Sequence, residues 1–385
     1  MTTAIAFIIL LGVLITIHEY GHFIAARSVG IRVERFSIGI PPRFFTVKSI
    51  DDGFLVNIYF FKFIEGRLAW NPIIQKTILS KGRIGSGTEY VIALLPLGGY
   101  VKMAGIIDEN MDLKIEYKND EFMSKPLWAK IWVLSAGVIM NTILAFFIFS
   151  GIGFFQGSPE INNDSLISEV VPNNPADLAG LLSGDRIIKI DDSSIDSWEA
   201  LTNYIKARPD TELDLIVERG GEKFNLGITT TTRIDGLDSI GVIGIYPEIL
   251  YADMTFGEAF RTGWSRTKDS FGMILMSLKM LGSGEASVKD FGGPIMIAQL
   301  AGQTAEAGLV PFLTFMALLS VNLAFLNILP IPVLDGGHIL IHLIEALIHR
   351  PLNLKARIII QQIGMAFILI LMVTIIFQDI SRLFN

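Results

Sequence analysis

The sequence predicts a polytopic α-helical membrane protein. Four transmembrane helices are joined by a membrane-associated β hairpin or sheet and by one small soluble α/β module outside the membrane. Three observations carry this. The 385 residues have a mean hydropathy of +0.52 and only 18% charged side chains, too apolar for an ordinary soluble chain. Four apolar runs, Thr2–Ala26, Ile131–Phe155, Val310–Leu334 and Ile358–Phe377, are long enough for helices that need roughly 20 residues to cross a bilayer. The charge between them is lopsided. Residues 27–125 hold 14 Lys/Arg against 11 Asp/Glu, residues 157–309 hold 12 against 23, and the connection around His349, Arg350, Lys355 and Arg357 is again basic. Basic loops stay in the cytoplasm, so both termini and the acidic segment are expected on the outer side.

The expected organisation is a first transmembrane helix at 1–30, a cytoplasmic loop with a membrane-reentrant β hairpin at 31–128 and a second span at 129–156. A soluble periplasmic module follows at 160–248, then an amphipathic helical segment at 250–309. A third span occupies 310–347, and a basic loop with the fourth span occupies 348–385. Cysteine is absent, which excludes disulfides, thiolate nucleophiles and Cys-ligated metals. Nothing in the charge pattern suggests nucleic-acid binding.

The first run lacks a basic n-region and an obvious cleavage site, so it reads as a retained helix. Inside it stands His18-Glu19-Tyr20-Gly21-His22, holding two of the five histidines of the chain and the only acidic residue of the run. Residues four apart share a helix face, so His18 and His22 can address one metal ion while Glu19 flanks it. Neutral imidazoles suit zinc, and a neighbouring carboxylate can take the proton of zinc-bound water. An ionisable group at membrane depth costs several kcal/mol and is rarely kept without a role.

In the first loop, Phe54–Phe63 and Tyr90–Leu97 are too short to span as helices and read as strands bounded by turns, the second running into Pro96-Leu97-Gly98-Gly99-Tyr100-Val101-Lys102. Apolar strands beside a membrane site suggest a hairpin entering from the cytoplasmic face. Packing on itself as a small cytoplasmic sheet is the alternative. From Asp164 to Thr232 the pattern is that of a small α/β module, with strands at Ser165–Val171 and Asp185–Ile190. Ser197–Ala207 is a helix presenting Trp198, Leu201 and Ile205, and Glu212–Glu218 with Lys223–Ile228 form a hairpin. The runs Pro175–Leu181 and Gly184–Ile188 resemble a bacterial PDZ domain of about 85 residues, which implies binding of peptide ends by strand addition. Phe256, Phe260, Trp264, Phe271 and Leu278 then recur at helical spacing, as in a helix lying on the membrane or packed on the bundle.

The third span runs into Asn327-Ile328-Leu329-Pro330-Ile331-Pro332-Val333-Leu334-Asp335-Gly336-Gly337-His338. Two prolines break a helix, and the glycine pair allows close backbone approach. Asp335 is either an N-cap for the following turn or the third ligand of the two-histidine site, with His338 as the rival ligand.

Together these motifs resemble the site-2 protease family of intramembrane zinc proteases, in the bacterial branch that cleaves anti-sigma factors. Matching stretches run nearly end to end: His18–Arg27, Arg32–Gly39, Gly87–Met103, Ala136-Gly137 with Asn141, Phe291–Pro294 and Asn327–His338. The resemblance implies one Zn2+ per chain held by His18, His22 and Asp335, Glu19 as the base that activates water, and substrate contacts at Asn327, Pro330, Pro332, Gly98, Gly99 and Tyr100. It implies substrates that are single-span membrane proteins, anti-sigma factors among them and remnant signal peptides as a further class, in the bacterial inner membrane with the metal toward the cytoplasm. The departures are Gly39-Ile40-Pro41 where a glycine-x-glycine is expected, extra sequence near Pro42–Lys81, Val138 in place of a proline, and a single PDZ module. The reading from a different class is a catalytically silent scaffold that collects periplasmic peptide ends; a transporter fits poorly, with one cluster of ionisable groups in four spans.

Overall fold

The computed structural model describes residues 2–64, 67–106, 116–235, 238–285 and 292–383; Phe291 lies outside them. Four helices are long and apolar enough to cross a membrane: α1 (Thr2–Ser28), α2 (Leu127–Gln156), α7 (Leu309–Ile328) and α9 (Leu354–Leu383). The chain divides into a helical unit, Met1–Ile152 with Glu258–Asn385, and a second unit, Gly153–Gly257.

In the helical unit, α1 buries Ala6, Leu10 and Leu14 against Ala301 of α6 (Pro294–Ala307) and Met316 of α7. Near its other end a Cβ at Gly21 would lie 2.4 Å from the Ala136 carbonyl oxygen of α2, so the two helices cross almost backbone to backbone. Helix α5 (Phe256–Ser283) settles the choice left open by its periodicity. It turns Ala259, Gly263, Thr267 and Ser270 inward and sets Phe260 edge to face against Phe146 of α2, so it packs on the bundle.

The expected third span is two helices. α7 stops at Ile328, and α8 (Asp335–Leu347) starts only after the Pro330–Pro332 break. The prolines withdraw two backbone donors from the ladder, so the helical pattern cannot run through to Leu334. Helix α9 is tied at both ends by buried charge. Arg357 grips both carboxylate oxygens of Glu345 on α8 at 2.5 Å. Asp379 accepts from the backbone N–H of Gly293, Ile295 and Met296 at 3.0, 3.0 and 3.3 Å, capping α6 from another helix.

The first loop folds further than a hairpin. Strands β1 (Val33–Ile50), β2 (Gly53–Ile64), β3 (Arg67–Leu79) and β4 (Glu89–Met103) form an antiparallel sheet in the order β3-β2-β1-β4. β1 and β3 were not legible as strands. Gly39 and three prolines, Pro41, Pro42 and Pro72, read as turn signals, yet the sheet absorbs them at an irregularity of β1 and on the edge strand β3, where a missing donor is tolerated. The pairing of β1 with β4 shifts along the strands: Phe36 lies against Val101 and Tyr90, and Ile38 against Gly99 and Ile92, while farther along Phe45 faces Ile92 and Val47 faces Tyr90. Phe60, Phe61, Phe63, Ile73, Ile74, Ile78 and Leu79 on β2 and β3 are exposed, a surface far more apolar than a sheet in water keeps.

The second unit follows its sequence pattern closely. Strands β7 (Arg186–Ile190), β8 (Ser193–Ser194), β9 (Glu212–Arg219) and β10 (Glu222–Thr229) form a sheet in the order β10-β9-β7-β8. Helix α4 (Trp198–Lys206) lays Trp198, Leu201 and Ile205 into the core with Ile187, Leu213, Leu215 and Val217. Ser197 accepts from the Ala200 N–H at 3.2 Å and starts that helix as its N-cap. Around this lie the short helix α3 (Pro175–Leu178) and three two-stranded pairs. These are β5 (Ser158–Ile161) with β14 (Ile249–Ala252), β6 (Ile167–Val170) with β13 (Ile245–Pro247), and the hairpin of β11 (Thr231–Asp235) with β12 (Asp238–Val242).

Candidate metal centre

His18 and His22 lie one helical turn apart on α1, and both are buried. The His22 Nδ1 donates to the Val133 carbonyl of α2 at 2.8 Å. That bond fixes the tautomer, so His22 Nε2 carries a lone pair. It points at His18 Nε2, 3.2 Å away, and at Asp335 Oδ2, 3.5 Å away; His18 Nε2 is itself 3.2 Å from Asp335 Oδ2. Among the described residues the buried Asp335 Oδ2 accepts no hydrogen bond.

Three ligand atoms with edges of 3.2, 3.2 and 3.5 Å form one face of a tetrahedron. Ligands at 2.0–2.2 Å from a tetrahedral zinc are separated by about 3.3–3.6 Å. The donor set, the orphaned carboxylate oxygen and the spacing therefore all fit such an ion, and the fourth corner is left for a non-protein ligand. Among the described residues these three side chains are the group able to hold a metal. His338 is not in the triangle. It stands on the wall of a neighbouring cavity with Ile341, His342 and Arg357.

The break after α7 is what delivers Asp335. Cβ atoms at Gly336 and Gly337 would lie 2.1 Å from the carbonyl oxygens of Ile328 and Ile331, so α8 tucks its first turn under the end of α7 only because both side chains are absent. Val333 is held at φ +97°, a conformation that costs a β-branched residue about 1–3 kcal/mol, so strain is stored two residues from the carboxylate. From the other side Gly137 of α2 lies over the imidazoles. A Cβ there would come within 2.6 Å of both Nε2 atoms.

Glu19 is half-buried, one residue along α1 from His18. Beside it runs the second half of β4: a Cβ at Gly99 would lie 3.5 Å from Glu19 Cγ, and one at Gly98 3.7 Å from Ile15 Cδ1. Tyr100 turns the other way, its hydroxyl accepting from Arg35 at 3.2 Å. Asn327 lies in the last turn of α7, and Pro330 and Pro332 lie in the break. They are not in the triangle, although a Cβ on Gly364 of α9 would be 2.2 Å from the Pro332 carbonyl.

The sequence profile of Peptidase family M50 matches residues 6–66 and 72–371. The chain belongs to this family. Within it the M50 peptidase is 30% identical to the zinc metalloprotease RasP of Oceanobacillus iheyensis, with all of both chains covered. It is 29% identical to the regulator of sigma-W protease RasP of Bacillus subtilis, over 100% of this chain and 99% of that one. It is 28% identical to the regulator of sigma-E protease RseP of Salmonella typhimurium, over 98% of each. Among solved structures, the PDZ domain of an SdrC-like protein from Listeria innocua is 26% identical, covers 22% of this chain and 93% of that one, and has a TM-score of 0.20. The M50 peptidase is thus a metalloprotease and an integral membrane protein, and zinc is the metal its family implies.

Two members of the site gave no usable signal in the sequence. The Val133 carbonyl is backbone, and any residue there could supply it. Gly137 was visible only as part of a motif, and its place over the imidazoles needs the crossing of α1 and α2 to be known.

Proposed function

We propose that this chain hydrolyses peptide bonds within or next to transmembrane segments of other membrane proteins, with Glu19 as general base and His18, His22 and Asp335 as zinc ligands. The observation that carries the reading is the ligand triangle, with Glu19 beside it and the edge strand β4 against the same helix. A bound zinc ion supplies Lewis-acid activation of water and of the scissile carbonyl. Glu19 takes the proton released from the water and passes it to the leaving amine.

A transmembrane helix hides its carbonyls in i→i+4 bonds and must unwind to be cut. β4 is an edge strand, so an unwound segment can add to it by main-chain hydrogen bonds. Gly98 and Gly99 carry no side chain to hold that strand away from Glu19. Asn327, Pro330 and Pro332 are proposed as further substrate contacts on the break. The apolar face of β2 and β3 supports insertion of the sheet into the cytoplasmic leaflet, and the basic first loop supports a metal site toward the cytoplasm. The acidic unit Gly153–Gly257, read as a PDZ module on the periplasmic side, would then bind peptide ends or screen substrates. Single-span proteins, anti-sigma factors above all, are the substrates proposed.

The test is Glu19→Gln in full-length protein. The variant should keep about one zinc per chain and lose cleavage of a single-span reporter. Wild-type cleavage would overturn the mechanism. Cleavage lost together with zinc would move Glu19 from base to ligand.

A further inference from the structure

Asn141 of α2 is fully buried at membrane depth, and the reaction outlined above makes no use of it. Its side-chain Nδ2 lies 3.3 Å from His18 Nδ1, on the side of the ring opposite the ligand triangle. Its Oδ1 is buried with no hydrogen-bond partner. Its backbone carbonyl accepts from Ser320 of α7 at 2.8 Å, so the residue is pinned where it stands.

The two imidazoles differ in one respect. His22 has a backbone acceptor for its Nδ1 proton, whereas among the described residues the partner of His18 Nδ1 is Asn141. A histidine that ligates through Nε2 carries its proton on Nδ1 and needs an acceptor there. With Nδ2 facing His18, donor would meet donor. A half-turn of the amide exchanges oxygen and nitrogen without changing the shape of the side chain, and it brings the orphaned Oδ1 onto the Nδ1–H.

We propose that Asn141 is the positioning residue for His18: its side-chain oxygen accepts the His18 Nδ1 proton, holding the ring in the tautomer and orientation that turn Nε2 to the metal. In the metal-free chain the same amide can turn back and donate to Nδ1, with His18 Nε2–H then donating to His22 Nε2. Asparagine serves either tautomer. This rests on the zinc reading of the triangle and extends it by one residue.

The experiment measures zinc affinity of the full-length protein in detergent by chelator competition, which reads the site without substrate. Asn141→Leu keeps size and suits an apolar helix, and it should weaken zinc 10- to 100-fold, the usual cost of removing such a partner. Asn141→Asp keeps the acceptor and should bind zinc at least as tightly as wild type. Unchanged affinity in Asn141→Leu overturns the proposal, and so does an equal loss in both variants, which would make Asn141 a packing residue. A second measurement needs only wild type and Asn141→Leu. In zinc-loaded protein labelled with [15N]histidine, the His18 Nδ1 proton should exchange slowly and should shift in the leucine variant; an unmoved resonance also overturns the proposal. If wild-type protein binds no zinc, it is the metal reading that fails; if wild type binds it and Asp335→Ala loses it while Asn141→Leu does not, the metal reading stands and this proposal alone fails.

Discussion

Gly137→Ala tests whether the metal centre is held by the approach of two helices or by its ligands alone. The new methyl would stand 2.5 Å from His18 Cε1 and 2.6 Å from each Nε2. Contacts of that kind normally relax to about 3.5 Å, so roughly 1 Å must be found. α2 cannot simply retreat, because the Gly21–Ala136 crossing and the Val133–His22 bond tie it to α1. The imidazoles must give instead, which opens the 3.2 Å edge of the triangle. Overpacking of this kind costs about 1–3 kcal/mol. Expressed in the metal site, that is about 5- to 150-fold in zinc affinity at 1.4 kcal/mol per tenfold. The assay is zinc retention against a chelator series, with thermal unfolding measured in parallel. Gly151→Ala is the matched control, with the same substitution in the same helix and nothing within 4 Å of the added atom. It should leave affinity unchanged and stabilise the helix by a few tenths to 1 kcal/mol. If Gly137→Ala binds zinc within twofold of the control, the helix approach does not shape the site and the reasoning fails.

Three further outcomes are expected. Asp335→Ala should lower zinc content, since two imidazoles remain, while His338→Ala should leave the metal bound; metal analysis of the two purified variants decides, and the reverse pattern would exchange their roles. Asp379→Ala leaves three N–H groups at the start of α6 without their acceptor, so the thermal midpoint should fall as for a loss of about 2–3 kcal/mol while zinc content holds; an unchanged midpoint would show that α6 is capped by other means. Deleting about Asp164–Thr232 should spare cleavage of short-tailed substrates and raise cleavage of long-ectodomain ones. The readout is the ratio of the two rates: no change in it excludes a filter, and loss of both activities makes the unit a receptor or a support.

The helices were legible in the sequence, and so were the side chains that the structure brings together, His18, His22 and Asp335, for a physical reason. Apolar runs at membrane depth have few alternatives to helix, and ionisable groups there are rare enough for His18, Glu19, His22 and Asp335 to stand out. α4 was equally legible because Trp198, Leu201 and Ile205 fall on one face. The sheet was only half visible. Phe54–Phe63 and Tyr90–Leu97 have strand composition, but β1 hides behind Gly39 and Pro41-Pro42, and its partner at Gly99–Met103 lies some 60 residues away. Pairing at that distance leaves no periodicity to read. Hydropathy alone carries the third apolar run on to Leu334, but Pro330 and Pro332 mark a break inside it, and α7 ends at Ile328, just before them. Gly137 and Asn141 act through contacts between helices, and spacing within one helix cannot reveal them.

The ligand triangle draws one vertex from the last third of the chain. His18 and His22 leave the ribosome early, whereas Asp335 follows more than 300 residues later. At 5–20 residues per second that interval is on the order of 15–60 s. For all of it a nascent molecule has Glu19 and the two imidazoles but not Asp335. A product truncated or stalled before Asp335 is therefore expected to retain no zinc and to cut none of the proteins inserted beside it. The order of synthesis thus keeps the three side chains apart until the chain has passed Asp335.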